Sequence, residues 1–537
     1  MTLRFLKSFT RADAILIALI TLVYARSLGN VFVDLDDQLL IVSNPLAWGL
    51  SIQNIIGAFT SYDPELYIPL TLLTYQVQYS LFGLNPSVYH VTSLIIHILS
   101  TLLVLRIFTR FFSKNTALLL GLLFGLHPMN TEAVSWASGL KDVLSSFFFL
   151  LSVWSYLRWK SDGKGYGLSI ATFGIGLAAK VSIIPLPLIL LLIDWLRKRK
   201  AIQEKLPYFA LAIVFAIIAM FGKSQMSDVH TWATLSFAGI PFYLGKFFVP
   251  LHLSILYPFL GDVDLSNPVI FRGLLITIGL LIAISISLKW TRKLVFSGLW
   301  FLLLIIPALP TVIKGGEDGA TYLYLASDRY VYLAGLGILF LLGFIINNRR
   351  YLQIATVAVI VMFAVLTYKQ SLAWRDSESI YTHVINQNRN SYVAYLSLGR
   401  VYAERGEFDK AMQHYKTSYD IHPSSKALLN IGQILAIGGK YDEAITIYTE
   451  VITKWPNLSS VHQDIGKLHL QMNHPDLALP FLNKAVELSP ELVPAHFHLG
   501  IIYEELGQKE AAILEFERVL ELNPSDEQAE RKLKALN

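Results

Sequence analysis

Residues 391–424 read SYVAYLSLGRVYAERGEFDKAMQHYKTSYDIHPS, and the pattern of this stretch returns three more times downstream. Gly399, Gly432, Gly466 and Gly500 are spaced 33, 34 and 34 residues apart. Twelve residues beyond each stands an alanine (Ala411, Ala444, Ala478, Ala512), and twenty-four beyond each a proline (Pro423, Pro456, Pro490, Pro524). Seven beyond each stands Gly406, Gly439, Asn473 or Gly507. These types tolerate the left-handed backbone that joins two antiparallel helices. Each unit therefore predicts a helix pair whose small residues allow close approach. Stacked units bury a face that no single pair can bury.

This register is the tetratricopeptide signature. It sets four repeats at about 391–424, 425–457, 458–491 and 492–525, within a soluble unit of residues 376–537. Asp376–Asn390 predicts an extra leading helix, and Asp526–Leu536 a polar closing helix of the kind such arrays need for solubility. The concave surface of the stack suits an extended peptide or a partner protein. A spacer or dimerisation module is the plainer reading of the same array.

Toward the N-terminus the character changes. Up to about residue 368 the chain is a series of long apolar blocks. They give the 537-residue chain 54% hydrophobic and 15% charged residues, with a mean hydropathy of +0.50. A soluble domain carries about 25% charged residues, so an ordinary soluble protein is excluded. Blocks at 12–28, 88–110, 116–128, 142–159, 165–180, 182–196, 205–223, 268–288, 294–310, 328–346 and 351–368 predict about eleven spans in a domain of residues 1–370. Several are short for a bilayer, which predicts tilting or helix ends buried in protein. The expected fold is all-α, a polytopic membrane helical bundle followed by an α-solenoid.

Arg4, Lys7 and Arg11 precede the apolar run Ala12–Tyr24, and no small-x-small cleavage site follows it. We read this run as an uncleaved first span. The absence of cysteine excludes disulfides, thiolate-held zinc and thiol catalysis. The net charge of +5 is modest, and no nucleic-acid partner is expected.

Lys and Arg fall unevenly between alternate loops. With the N-terminus in the cytoplasm, the inner set holds nineteen and the outer set up to Arg329 holds eight. An odd number of spans then places the repeats on the non-cytoplasmic side, here of the cell (plasma) membrane. The first outer loop, about 29–87, has no Lys or Arg and carries Asp34, Asp36, Asp37, Asp63 and Glu65. Within it Ile68–Gly83 is apolar and aromatic, and predicts an interfacial helix along the outer surface. Trp232–Leu260 is apolar but contains Pro241, Pro250, His252 and Pro258, and predicts a re-entrant or interfacial segment.

Asp36 and Asp37 are adjacent carboxylates on a loop, where neighbouring side chains can take different tasks. Lys141, Lys180, Lys314 and Arg329 are cations near outer span ends. A charge at membrane depth is costly and marks a functional candidate. Together they suit a reaction on an anionic lipid. The cations hold a phosphate, and a carboxylate takes a proton from an acceptor hydroxyl. The plainer readings are a solvated acidic turn and lysines snorkelling to headgroups. His127 with Glu132, then Lys141 and Asp142, form a second polar group. His127 and these carboxylates are candidates for holding a divalent metal; structural hydrogen bonding is the competing reading. Asp194 reads as a salt partner for the basic run beside it, and Arg375-Asp376 as the start of the first soluble helix.

The order of short motifs carries a resemblance. Phe32-Val33-Asp34-Leu35-Asp36-Asp37 and Asn44-Pro45 follow the first helix, then Ile68-Pro69-Leu70, Gly83-Leu84-Asn85-Pro86, Tyr89-His90 and His97. Later come His127-Pro128-Met129-Asn130-Thr131-Glu132-Ala133-Val134, Lys141-Asp142, Ala179-Lys180, Pro250-Leu251-His252-Leu253-Ser254 and Asp328-Arg329-Tyr330-Val331-Tyr332-Leu333. With the repeats, this order resembles the transmembrane and tetratricopeptide-repeat O-mannosyltransferase family and its prokaryotic relatives, of the GT-C class of glycosyltransferases. The resemblance implies a polyprenyl- or dolichyl-phosphate-linked sugar donor. It also implies an acidic catalytic base in the first outer loop and transfer on the non-cytoplasmic face. The family's acidic pair falls on Asp36-Asp37 and its later Arg-Tyr motif on Arg329-Tyr330. Ile68 stands where the family often has Arg, and Val181 where it often has an acid, so the sugar is left open.

The expected activity is transfer of a sugar to a protein or glycan hydroxyl. Asp36 or Asp37 would be the base, and Arg329 with Lys180 or Lys141 would stabilise the departing lipid phosphate. Membrane lipids surround the bundle, and the repeats present an acceptor or partner protein. One alternative is a non-catalytic anchored scaffold. Another is an O-antigen-type polymerase or ligase, whose large catalytic loop comes late in the chain rather than directly after the first helix. The enzymatic reading requires the acidic loop to face Arg329 and the named lysines across one hollow.

Overall fold

A computed structural model describes residues 9–63, 66–200, 202–222, 229–259, 261–309, 313–315 and 321–537. Arg4, Lys7, Glu65 and Lys223 lie outside the described residues, and of Lys314 only the backbone is described. The described chain is helical apart from a two-stranded ribbon, Ile313–Gly315 with Thr321–Leu323, and a bridge between Pro258 and Tyr324.

Every apolar block is a helix. They are Arg11–Tyr24, Pro86–Phe108, Lys114–Gly125, Leu140–Asp162, Tyr166–Ala179, Leu186–Leu196, Leu206–Phe221, Pro268–Ser287, Arg292–Ile305, Val331–Ile346 and Arg350–Leu372. Seven of these, counted with their flanking turns, are long and apolar enough to cross a bilayer on their own. An eighth is Lys114–Gly125 with Pro128–Ser135, bent by 49°. Tyr166–Ala179, Leu186–Leu196 and Arg292–Ile305, at 14, 11 and 14 residues, are shorter than a span. Two of them are separated by Lys180, whose extended backbone ends the first. Phe149, Trp300 and Phe340 lie in the apolar core that these helices share.

Two expectations change. Ile68–Gly83 is a helix, Pro69–Phe82, but it buries Thr71, Leu72, Tyr75 and Gln76 in protein instead of only lying along a surface. Thr71 donates a hydrogen bond to the Ala179 carbonyl at 3.0 Å. The expected break at Pro241 does not occur, and Val229–Phe248 is one helix that runs through it. A proline leaves the carbonyl four residues earlier without its usual N–H partner, which here is that of Phe237. A Cβ on Gly273 would collide with this carbonyl, so only glycine lets the neighbouring helix Pro268–Ser287 press against it.

The chain divides into two compact units. One runs up to Ile313 and includes Leu323–Gln387; the other comprises Lys314–Tyr322 and Asn388–Asn537. The division after Gln387 puts the helix Ser377–Gln387 with the apolar bundle, not at the head of the repeats.

In the second unit the four expected helix pairs are Tyr392–Glu404 with Phe408–Ile421, Ser425–Ile437 with Tyr441–Lys454, Ser459–Gln471 with Pro475–Leu488, and Val493–Glu505 with Lys509–Leu522. Glu527–Leu536 closes the array. Gly406, Gly439, Asn473 and Gly507 hold φ values of +75°, +73°, +60° and +71° at the turns. A Cβ on Gly399 would fall 2.6 Å from the Tyr415 ring, and one on Gly466 2.6 Å from Leu482. The spacing that marks the repeats is therefore a record of these close approaches.

Candidate active site

The loop after the first helix is pinned to the turn that precedes the helix Leu140–Asp162. Ser27 and Ser135 share a hydrogen bond of 2.8 Å between their hydroxyls. Asp37 is fully buried. Its carboxylate accepts the Val33 N–H at 2.9 Å, the Ser138 N–H at 2.9 Å and the Ser138 hydroxyl at 2.6 Å. Burial pushes the Asp37 carboxyl up to about 6, against the hydrogen bonds from Ser138 and Val33. This carboxylate is a loop anchor.

Its neighbour faces the other way. The Asp36 side chain is 40% exposed and takes the ammonium of Lys141 at 3.1 Å. Lys141 is itself buried, donates to the Ser138 carbonyl at 3.0 Å and lies 4.7 Å from the centre of the Trp136 ring. The adjacent acids thus have separate tasks, and the same Ser138 serves both sides.

Two more ion pairs stand beside this one. Lys180 meets Asp142 at 2.5 Å and lies 5.5 Å over the Tyr330 ring. Arg329 pairs with Glu132 through its guanidinium, and the Arg329 backbone N–H reaches the second Glu132 oxygen at 3.0 Å. The guanidinium also lies 4.8 Å over Tyr330 and 5.3 Å over Trp136. Two aromatic rings therefore link the three pairs: Trp136 touches Lys141 and Arg329, and Tyr330 touches Arg329 and Lys180. Among the described residues, Arg329 Nε and Asp142 Oδ2 are enclosed without a hydrogen-bond partner. The site holds a donor and an acceptor that its own side chains do not satisfy.

The structure thus gathers Asp36, Asp37, Glu132, Lys141, Asp142, Lys180, Arg329 and Tyr330 in one place. It does not gather His127. That ring accepts the Met129 N–H at 3.3 Å through Nδ1, and its Nε2 is 3.1 Å from the Phe247 carbonyl. It stacks on Phe247 at 4.4 Å. Both ring nitrogens are engaged, Nδ1 as a helix cap and Nε2 on the Phe247 carbonyl, so the candidate His127–Glu132 metal pair does not form. No group of three or more His, Cys, Asp or Glu suited to a metal occurs among the described residues.

Sequence reasoning missed Ser138 and Trp136, which carry no charge and no motif. It also passed over Asp63, held by Asn44, whose carboxyl is raised by burial. Asn44-Pro45 signals this contact only in retrospect: the Asn44 side chain also accepts the Leu46 N–H at 3.0 Å.

The opposite end of the bundle carries the basic loops. Asp13 pairs with Arg106 at 2.8 Å. Asp194 pairs with Lys205 and accepts the Tyr156 hydroxyl at 2.6 Å, the local partnership that its position predicts. Glu204 pairs with Lys160.

Residues 67–221 match the family described as dolichyl-phosphate-mannose-protein mannosyltransferase. Residues 398–459, 459–492 and 493–526 match tetratricopeptide-repeat families. The chain is 22% identical to protein O-mannosyl-transferase TMTC3 of Homo sapiens, over 95% of this chain and 68% of that protein. It is 23% identical to protein O-mannosyl-transferase TMTC1 of Homo sapiens, over 79% of this chain and 56% of that protein. A solved tetratricopeptide-repeat protein, YrrB, aligns with 21% identity over 29% of this chain and 81% of that chain, with a TM-score of 0.27. The chain spans between about half and two thirds of the length of these human relatives. With a mannosyltransferase-family segment in an apolar helical bundle and tetratricopeptide repeats after it, this chain is similar over most of its length to the protein O-mannosyl-transferases TMTC3 and TMTC1.

Proposed function

We propose that the protein transfers a sugar from a polyprenyl-phosphate donor to a hydroxyl of an acceptor protein, at the non-cytoplasmic face of the plasma membrane. The observation that carries this reading is the half-open Asp36 carboxylate seated on the enclosed Lys141, beside Lys180 and Arg329. Asp36 takes the proton of the acceptor hydroxyl. The acceptor oxygen bonds to the anomeric carbon while the bond from that carbon to the phosphate oxygen breaks. The electron pair leaves with the lipid phosphate, in one inverting displacement. Arg329 and Lys180 stabilise the charge on the departing phosphate.

Asp37 is assigned the anchoring task, because its carboxylate is buried and held by three donors. The unsatisfied Arg329 Nε–H suits a phosphate oxygen. An apolar cleft of about 380 Å3, lined by Ile184, Pro187, Phe209, Ile213, Leu303 and Pro307, begins four residues past Lys180 and suits the isoprenoid chain of the donor. The basic end of the bundle, with Arg106, Lys160, Arg197 and Lys205, is assigned to the cytoplasm.

The relatives are named as protein O-mannosyl-transferases, so mannose is the first sugar to test. Full-length protein in lipid vesicles is incubated with a panel of polyprenyl-phosphate sugars and an acceptor peptide mixture. The reading expects transfer of one sugar, lost in Asp36→Asn. Full transfer by a folded Asp36→Asn protein contradicts it.

A further inference from the structure

The segment that leads out of the bundle is bonded to the loop that carries Asp36. The Val31 N–H donates to the Arg375 carbonyl at 3.0 Å. The Asp34 N–H donates to the Ser377 hydroxyl at 2.8 Å. The Tyr381 hydroxyl donates to the Asp34 carbonyl. Trp374 is buried and stacks on Trp136 with ring centres 5.7 Å apart. Trp136 is the same ring that lies beside Lys141 and Arg329. The helix Ser377–Gln387 is also tied elsewhere in the bundle: His383 Nε2 is 2.8 Å from the Leu253 carbonyl, and His252 Nδ1 is 2.8 Å from Gln387 Oε1.

We infer that Ser377 and Tyr381 are positioning residues for Asp36, and that the segment Trp374–Gln387 is a clamp belonging to the catalytic site. The inference rests on the reading of Asp36 as the base. Two of the three bonds hold both backbone groups of Asp34, which is two residues from the base. A buried backbone N–H or C=O must find a partner. Without these two hydroxyls Asp34 loses both of its backbone partners on this side, and the loop keeps the Val31–Arg375 bond, the Ser27–Ser135 bond and the Asp37–Ser138 anchor. The repeat unit begins at Asn388, directly after the clamp helix. The chain that carries the repeats is therefore the chain that sets the base.

The test uses full-length protein with the double substitution Ser377→Ala, Tyr381→Phe. Misplacing a reacting group by about 1 Å costs up to about a hundredfold in rate. The expected result is a fall in kcat of about tenfold or more, with an unchanged KM for the lipid-phosphate sugar. Ser377→Thr, which keeps the hydroxyl, should retain the wild-type kcat. Amide hydrogen exchange supplies a readout independent of activity: residues 31–37 should exchange faster in the double variant, while residues 186–205 at the other end do not change. Unchanged exchange at 31–37 overturns the clamp whatever the activity. A wild-type kcat in the double variant, or equal losses in Ser377→Thr and Ser377→Ala, overturns the positioning role. Faster exchange in the double variant together with full transfer by Asp36→Asn overturns the assignment of the base and the positioning role with it.

Discussion

Both ends of the helical bundle bury ion pairs, and the two ends are built differently. At the basic end Asp194 and Lys205 flank a single connection between two helices, with Tyr156 closing over them. Lys205 is 0% and Asp194 4% exposed. At the other end Asp36, Glu132, Lys141, Lys180 and Arg329 come from the first loop, the middle of the bundle and the start of the helix Val331–Ile346. There Lys141 is enclosed, Lys180 and Arg329 are mostly covered, and Asp36 stands 40% exposed. A pair sealed from water serves the fold, and breaking it leaves a stranded charge. A pair with its carboxylate half open and its cation fixed can meet a ligand. Asp36–Lys141 and Asp194–Lys205 thus differ in enclosure rather than in charge. Lys160–Glu204, with Glu204 30% exposed, is open too, and what sets Asp36 apart from it is the cluster of Lys180, Arg329, Trp136 and Tyr330 around it.

The largest effect is expected at Asp36. Asp36→Asn should lower transfer by about 10² to 10⁴, the range contributed by a general base, with a smaller fall in the thermal unfolding midpoint than Asp194→Asn, because the Ser138 carbonyl still holds Lys141. A comparable loss of stability instead would make the two ends alike. Asp194→Asn should do the reverse. It leaves the buried Lys205 with only the more exposed Glu204 carboxylate at 3.5 Å and costs up to about 3 kcal/mol of stability, measured by thermal unfolding in detergent, with little change in rate per folded molecule.

Arg329→Lys sharpens the account of the donor side. Lysine keeps the charge but cannot reproduce the bonded and stacked guanidinium. The KM for the lipid-phosphate sugar should rise by about tenfold, while Asp36 chemistry is retained.

The smallest effect lies in the repeats. Burial pushes the Asp464 carboxyl up to about 6, with Lys467 opposing. A carboxyl raised in the folded state destabilises that state as it ionises, so stability falls as pH rises from about 4, the unfolded value, through about 6. Asp464→Asn should therefore stabilise the repeat helices above pH 6, by on the order of 1 kcal/mol after solvent screening. The gain should vanish below pH 4, as read by amide exchange in residues 459–471.

Much of this was legible in the sequence for a simple reason. Glycine, alanine and proline recur in the repeats because backbones meet there, so spacing reports contact directly. Lys141, Lys180 and Arg329 stood out because charges at the ends of apolar blocks are costly. The division of labour between Asp36 and Asp37 was not legible. It depends on Ser138, which is a hundred residues away and chemically ordinary. His127 shares a motif with Glu132, five residues on, but its neighbours in space are Phe247 and Phe363, and structural hydrogen bonding, the competing reading, is what the structure shows. The helix Ser377–Gln387 has the polar pattern of a repeat helix, and contacts distant in sequence, Ser377 and Tyr381 to Asp34 and His383 to Leu253, reveal where it belongs. Pro241 suggested a break because the matching glycine, Gly273, lies on another helix.

The central claim is tested most directly by measuring sugar transfer per folded molecule for Asp36→Asn and Asp194→Asn side by side, in the same vesicles with the same donor. The account predicts that Asp194→Asn works at close to the wild-type rate while Asp36→Asn is slower by at least about a hundredfold. Equal rates in the two variants would contradict it.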